Sequence, residues 1–358
     1  MIKNTDKMIK NTGKIEKALS EARLRRKEGC YDDETLQLFE VARSRKQSSA
    51  AAVLDWAKFS LEYKGYLEDI LPVEELLSRC LPPDLLRDAL NLILYNGAFL
   101  DWKRDLLFCQ RMWLPFLRRR SPAIAAAFTK SGFGSASSLS LLSDIYYKQD
   151  DWAKWFFSQL RLSEDICVVG NAATLKGKGL GEVIDSYDKV VRFNHFAGEG
   201  DIPSGHRREL ERDSGVRATT WVASPNLKGE FPWVGDVSSV FISGPDMRYR
   251  LSRWESWAAF IGKGIPVITF PLYVWCTLVK KLSAPPSAGL LFLYWILEEQ
   301  VDTPIDIAGF QLGDDVGEYH MALPDHHAVS RHNWKQERAL IREWVKAGRV
   351  RALDYVMP

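Results

Sequence analysis

Six short runs rich in β-branched and aromatic residues, ICVVG, KVVRF, TTWVA, SVFIS, PVITF and IDIAGF, recur between residues 166 and 310, separated by loops and helical stretches. They are largely apolar and do not alternate in polarity, so the strands they form are covered on both faces. That demands a mostly parallel sheet layered between helices, an α/β, Rossmann-like half at residues 161–358. In an open sheet of this kind ligands sit beyond the carboxyl ends of the strands.

The part before it reads differently. From 31 to 160 apolar residues recur at spacings of three and four, as in Leu54, Ala57 and Leu61, with few strand-like alternations, which predicts an all-helical domain with a faint repeat-like character. Residues 1–30 are polar and charged and read as an arm carrying no chemistry, either a frayed helix or disordered. Within the helical half, Arg118, Arg119 and Arg120 follow Trp113, Leu114, Phe116 and Leu117, a composition suited to peripheral contact with anionic lipid, or to a basic rim beside a buried helix. The 48 basic and 46 acidic residues of the whole chain nearly cancel, so no nucleic-acid partner is expected.

The strand ICVV turns at Gly170-Asn171, passes a segment with Gly177, Gly179 and Gly181, and leads to a second strand ending Arg192-Phe193-Asn194. This is no dinucleotide fingerprint: GxGxxG is absent from the turn and no acidic residue ends the second strand. Asn171 and Asn194 stand at strand tips facing one crevice, either as turn caps or as amides offered to a phosphate or ribose. Further on, Pro286-Ser287-Ala288-Gly289 opens the apolar stretch LLFLYWILEE, a helix start of the kind that attracts anions. Four of the six histidines fall between 320 and 332. Their spacing matches no metal-ligand pattern, and histidine is suited to taking a proton near neutral pH.

Taken together these segments resemble the sialylmotifs of the animal-type sialyltransferases, glycosyltransferase family 29. Cys167-Val-Val-Gly170-Asn171 through Ile184-Asp185-Ser186 to Val191-Arg192-Phe193-Asn194 is similar to the large motif; Pro286-Ser287-Ala288-Gly289 with the later Gly309-Phe310 is similar to the small one. His332-Asn-Trp-Lys-Gln-Glu337 resembles the very small motif, HxxxxE, and Tyr319-His320 lies where the family has its short third motif. The resemblance covers about 165–345. It implies a variant GT-A fold and a CMP-sugar site in which Gly170, Asn171, Asn194, Pro286, Ser287, Ala288 and Gly289 bind the donor. It implies His332 as general base and His320 as a group stabilising the departing phosphate, with His326 and His327 as alternatives for that role. Glu337 either orients the base or caps local structure. Lys176 and Lys178 are further candidates for charge near the phosphate, or solvated side chains. No metal and no cofactor beyond the CMP-sugar donor is implied.

One departure matters. The family's large-motif cysteine is paired with a cysteine in the small motif, whereas here the corresponding helix offers Leu297-Glu298-Glu299 opposite Cys167. The five cysteines are odd in number and widely spaced, and the N-terminus lacks the apolar core of a signal peptide. A cytoplasmic enzyme is expected, peripheral to a membrane at most. The expected reaction is inverting transfer of an acidic 2-keto sugar, sialic acid or Kdo, from CMP to a saccharide or glycolipid hydroxyl. A CMP-Kdo transferase of bacterial surface polysaccharide synthesis, a non-catalytic helical scaffold and a membrane-surface adaptor are the alternatives.

Overall fold

The computed structural model describes residues 2–44, 48–76, 79, 81–99, 148–194, 196, 204–225, 237–250, 255–299, 302–313, 321 and 328–355. The chain divides into two compact units whose segments interleave: Met1–Lys148, Pro245–Ser256 and Pro271–Pro285 in the first, Gln149–Gly244, Trp257–Phe270 and Pro286–Pro358 in the second. Among the described residues no helix is long and apolar enough to cross a membrane.

The first unit is helical, with α1 (Ile2–Glu28), α2 (Asp33–Arg43), α3 (Ala50–Lys64), α4 (Leu71–Leu76), α5 (Pro83–Phe99) and, from later in the chain, α10 (Leu272–Leu282). Starts and stops follow local chemistry. Asp32 and Ser49 cap α2 and α3 by accepting from Thr35 N and Ala52 N, and Gly65 ends α3 in the left-handed conformation. The polar opening read as an arm is the helix α1. Its Ala18 and Ala22 are buried, and its Arg26 reaches both oxygens of Glu62 at 2.7 and 2.9 Å. Glu62 is almost wholly buried, with the Tyr31 hydroxyl donating to it at 2.7 Å, and such a carboxylate is tolerated inside only because it is paired. The segment carrying Arg118, Arg119 and Arg120 lies outside the described residues.

The second unit holds the predicted sheet. Its elements are α6 (Gln149–Arg161), β1 (Ile166–Val169), α7 (Gly181–Asp185), β2 (Lys189–Phe193), α8 (Ser204–Ser214), β3 (Thr220–Ala223), β4 (Ser239–Ile242), α9 (Glu255–Gly262), β5 (Val267–Thr269), α11 (Ala288–Glu298), β6 (Ile305–Ala308), α12 (Trp334–Lys346) and β7 (Arg351–Ala352). Among the described residues seven strands pair in the order β5-β4-β3-β2-β1-β6-β7, all parallel, with β1 in register Val169↔Arg192 on one side and Val169↔Ala308 on the other. The seventh strand was not among the six runs legible in sequence, because two residues leave no pattern.

Helix α11 is apolar all round and correspondingly buried from Leu290 through Leu297. Its Phe292 and Trp295 meet Phe241 of β4 at ring separations of 5.3 and 5.8 Å, and Phe156 and Phe157 of α6 close the cluster. The edge strand β5 is covered by one side chain: the buried Gln149 amide donates to Val267 O at 2.9 Å and accepts from Thr269 N at 2.8 Å, replacing the missing neighbour.

Candidate functional site

Connections run outward from β1 through β5 on one side of the sheet and return to β6 and β7 on the other, so the order reverses between β1 and β6. A crevice opens at the carboxyl end of the strands at such a reversal. Two glycines line it. A Cβ on Gly170 would stand 2.3 Å from Gly309 O, and one on Gly309 would stand 2.4 Å from Gly170 O, so the tips of β1 and β6 approach as closely as bare backbone allows. Gly309 also has φ +69°, while Ala172 N donates to its carbonyl at 2.9 Å.

Asn171 follows Gly170. Its Nδ2 donates to Phe193 O at 2.8 Å, bridging the ends of β1 and β2, and its backbone carbonyl accepts from Met321 N at 2.9 Å. Asn194 ends β2 with φ +47°, a conformation asparagine tolerates better than most residues. Its Oδ1 accepts from Ser224 N at 2.8 Å and its carbonyl from the Trp221 indole at 3.0 Å. Each amide is therefore half used as a turn brace. Asn171 Oδ1 and Asn194 Nδ2, one acceptor and one donor, are left at partly exposed positions with no partner among the described residues.

The glycine-rich stretch between them serves the fold. Gly177 and Gly179, both at positive φ, donate their N–H groups to the Asp213 carboxylate of α8 at 2.6 and 3.1 Å. Burial works to raise that carboxyl, but the two backbone donors and neighbouring Arg212 hold it below the usual range. Lys176 and Lys178 are exposed on this loop. Arg192 of β2 is also structural. Buried in the second unit, it donates to Ser214 O at 2.7 Å and Arg217 O at 3.0 Å. Asp185, from the large-motif segment, receives Val216 N and Arg217 N at 2.9 Å each. Cys167 is a free thiol inside the sheet, pushed up to about 12 by burial.

The small-residue helix start packs onto the same tip. A Cβ on Gly289 would come within 2.8 Å of the Phe310 ring, so the glycine admits an aromatic side chain of the chain itself, in place of the ligand approach expected for it. Ser287 is the N-cap of α11, its hydroxyl accepting from Leu290 N at 3.3 Å. That hydroxyl in turn donates to Glu337 Oε2 at 2.5 Å, and Ser287 N donates to Oε1 at 2.8 Å. Both oxygens of Glu337 are thus engaged by Ser287. Buried Pro286 precedes the cap, and the backbone N–H groups of Ala288 and Gly289 in the first turn of α11 have no partner among the described residues. Burial pushes Glu337 up to about 7 against the two bonds from Ser287, which act to lower it.

Through Glu337 the start of α12 is tied to the start of α11. Just ahead of α12 stands His332, half-buried, its N–H donating to Val329 O at 3.3 Å. Its ring lies edge-on to Trp334 at 5.1 Å and 73°, and the Trp334 indole donates to Val329 O at 2.9 Å. His320, His326 and His327 lie outside the described residues, although Met321, next after His320, is buried and bonded to Asn171 O. The segments that sequence singled out are therefore linked: Asn171 and Asn194 through β1 and β2, Gly170 to Gly309, Phe310 to Gly289, and Ser287 to Glu337. Asp213 escaped sequence reasoning altogether, and Arg192 and Phe310 were legible only as motif members, without their bracing roles. A charged residue inside an apolar strand was the one visible signal, for Arg192.

Comparison with known proteins finds a family and two solved structures. The family model described as glycosyltransferase family 29 (sialyltransferase) matches residues 133–227, the span that carries Gly170, Asn171 and Asn194. A mammalian sialyltransferase solved in complex with Gal-beta-1-3GalNAc-ortho-nitrophenol is 18% identical, with a TM-score of 0.39, over 61% of this chain and 85% of that one. Another structure of a mammalian sialyltransferase is 17% identical, with a TM-score of 0.40, over 62% and 86%. No curated protein matches the chain. Over residues 133–227 the chain is thus similar to glycosyltransferase family 29, the sialyltransferases.

Proposed function

We propose that this glycosyltransferase moves sialic acid from its CMP donor to a saccharide hydroxyl, with the nucleotide in the crevice at the β1/β6 reversal and His332 as general base. The observation carrying the reading is the convergence of three distant sequence segments on that crevice through Gly170–Gly309, Gly289–Phe310 and Ser287–Glu337. Asn171 Oδ1 accepts from a hydroxyl or amine of the nucleotide, and Asn194 Nδ2 donates to an oxygen of it. The N–H groups of Ala288 and Gly289, at the positive end of α11, meet an anionic oxygen of the donor.

In the transfer His332 takes the acceptor hydroxyl proton. The acceptor oxygen bonds to the anomeric carbon as the bond from that carbon to the phosphate oxygen breaks, and CMP leaves with the electron pair, with inversion. Charge developing on the phosphate is stabilised by fixed donors, and His320 is the side chain proposed to add to them. The chain supplies this chemistry with its own side chains and the donor alone. The cytoplasmic setting is part of the proposal.

The test is a donor screen on the full chain by calorimetry and turnover. CMP and CMP-sialic acid are expected to bind and UDP-sugars to fail, with CMP-Kdo, which shares the nucleotide and the anomeric carboxylate, transferred more slowly. Absence of CMP binding would overturn the assignment, and faster transfer of Kdo would replace the sugar.

A further inference from the structure

We propose that Asp354, near the C-terminus and outside every motif singled out in the sequence, is a positioning residue for the donor nucleotide because its carboxylate ties together the two loops that form the crevice. The proposal rests on the crevice being the CMP site. Asp354 Oδ2 accepts from the Thr174 hydroxyl at 2.6 Å and from Gly309 N at 3.0 Å. Thr174 belongs to the short turn that follows Gly170-Asn171 after β1, and Gly309 is the tip of β6. One oxygen atom thus joins both sides of the reversal point, where Gly170 and Gly309 already touch backbone to backbone.

The position of this carboxylate is set by strand register. Arg351 of β7 pairs with Asp306 of β6, Nε donating to Oδ1 at 2.8 Å, and Ala352 stands opposite Ile307. Leu353 N then donates to Ile307 O at 2.9 Å, so the next residue arrives beside Gly309 N. Gly309 occupies positive φ, and an anchored N–H keeps it there. If the anchor is lost, the Ala172 N to Gly309 O bond and the turn bearing Asn171 are free to shift. Asp354 touches neither donor nor acceptor in this scheme. It acts through Asn171, so donor binding is the step it governs, while the histidine side of the site is held separately by Ser287 and Glu337.

The experiment compares the full chain with Asp354→Ala, Asp354→Asn and Thr174→Val, measuring CMP affinity by calorimetry, donor and acceptor KM, and kcat. Misplacing a binding group by a fraction of an ångström weakens its contact severely, so Asp354→Ala is expected to lower CMP affinity and raise donor KM roughly tenfold, with kcat and acceptor KM within about twofold. Asp354→Asn keeps one acceptor oxygen and is expected to recover most of the loss. Thr174→Val, which leaves the Gly309 bond intact, is expected to shift donor KM less and in the same direction. If the alanine variant does not fold, the other two decide. Folded variants with wild-type CMP affinity, or with donor KM, acceptor KM and kcat all impaired alike, would overturn the role of Asp354. A wild-type chain that does not bind CMP at all would instead remove the reading of the crevice, and this proposal with it.

Discussion

Asn194 has a structural role and, in the proposal, a chemical one. Its φ of +47° costs a non-glycine residue roughly 1 kcal/mol, and the bond from Ser224 N to Oδ1 offsets that. Asn194→Ala keeps the strain and loses the bond, and is expected to destabilise the chain by about 2 kcal/mol; Asn194→Gly relieves the strain and loses about 1 kcal/mol, as urea unfolding would show. Both variants lack Nδ2, so CMP affinity falls equally in the two if that amide meets the nucleotide. Stability and binding then separate, as a pure turn cap would not permit. Cys167 contributes differently. A thiol pushed up to about 12 by burial is neutral near pH 7, so thiol reagents are expected to modify it only after unfolding.

The strand tips and helix starts are where these residues converge. Gly170→Ala drives a Cβ into the backbone of Gly309, which cannot move aside, and is expected to cost about 3 kcal/mol or more; Gly177→Ala meets only its φ of +72° in open space and costs roughly 1 kcal/mol, readable from thermal unfolding. The α11–α12 link carries a pH signature. The Glu337 carboxyl sits at about 7 in the folded chain against an ordinary value of 4.5, so the folded state holds the proton more tightly. That contribution is complete below about pH 4.5 and is lost as pH rises through about 7, on the order of 3 kcal/mol in all. Glu337→Gln is expected to flatten the fall of Tm between pH 5 and 7 relative to wild type. Parallel fall in both proteins would remove the assignment. These elements were legible in sequence because their signals are local: an apolar run, a glycine where backbone must approach, a serine at a helix start. The braces were not, since Asp213 reaching Gly177 and Glu337 reaching Ser287 join residues 36 and 50 positions apart with no periodicity to announce them.

Across the molecule, the parallel α/β sheet was predictable from six apolar runs, while the two-residue β7 and the way segments 245–256 and 271–285 return to the first unit were not, because neither leaves a sequence period. The helical first unit has its own buried centre at Glu62, and the family match touches it only at residues 133–148. Ser287 and Gly289, expected from sequence as direct donor contacts, have their side-chain positions occupied by Glu337 and Phe310, so in the proposal the ligand meets the backbone of the first turn. The proposed role of His332, which stands just ahead of α12, is to remove the acceptor proton. His332→Ala in the full chain, assayed with CMP-sialic acid and an acceptor saccharide, is predicted to lower kcat by roughly 10²–10⁴ while CMP affinity stays at the wild-type value. Near-wild-type turnover in that variant would contradict it.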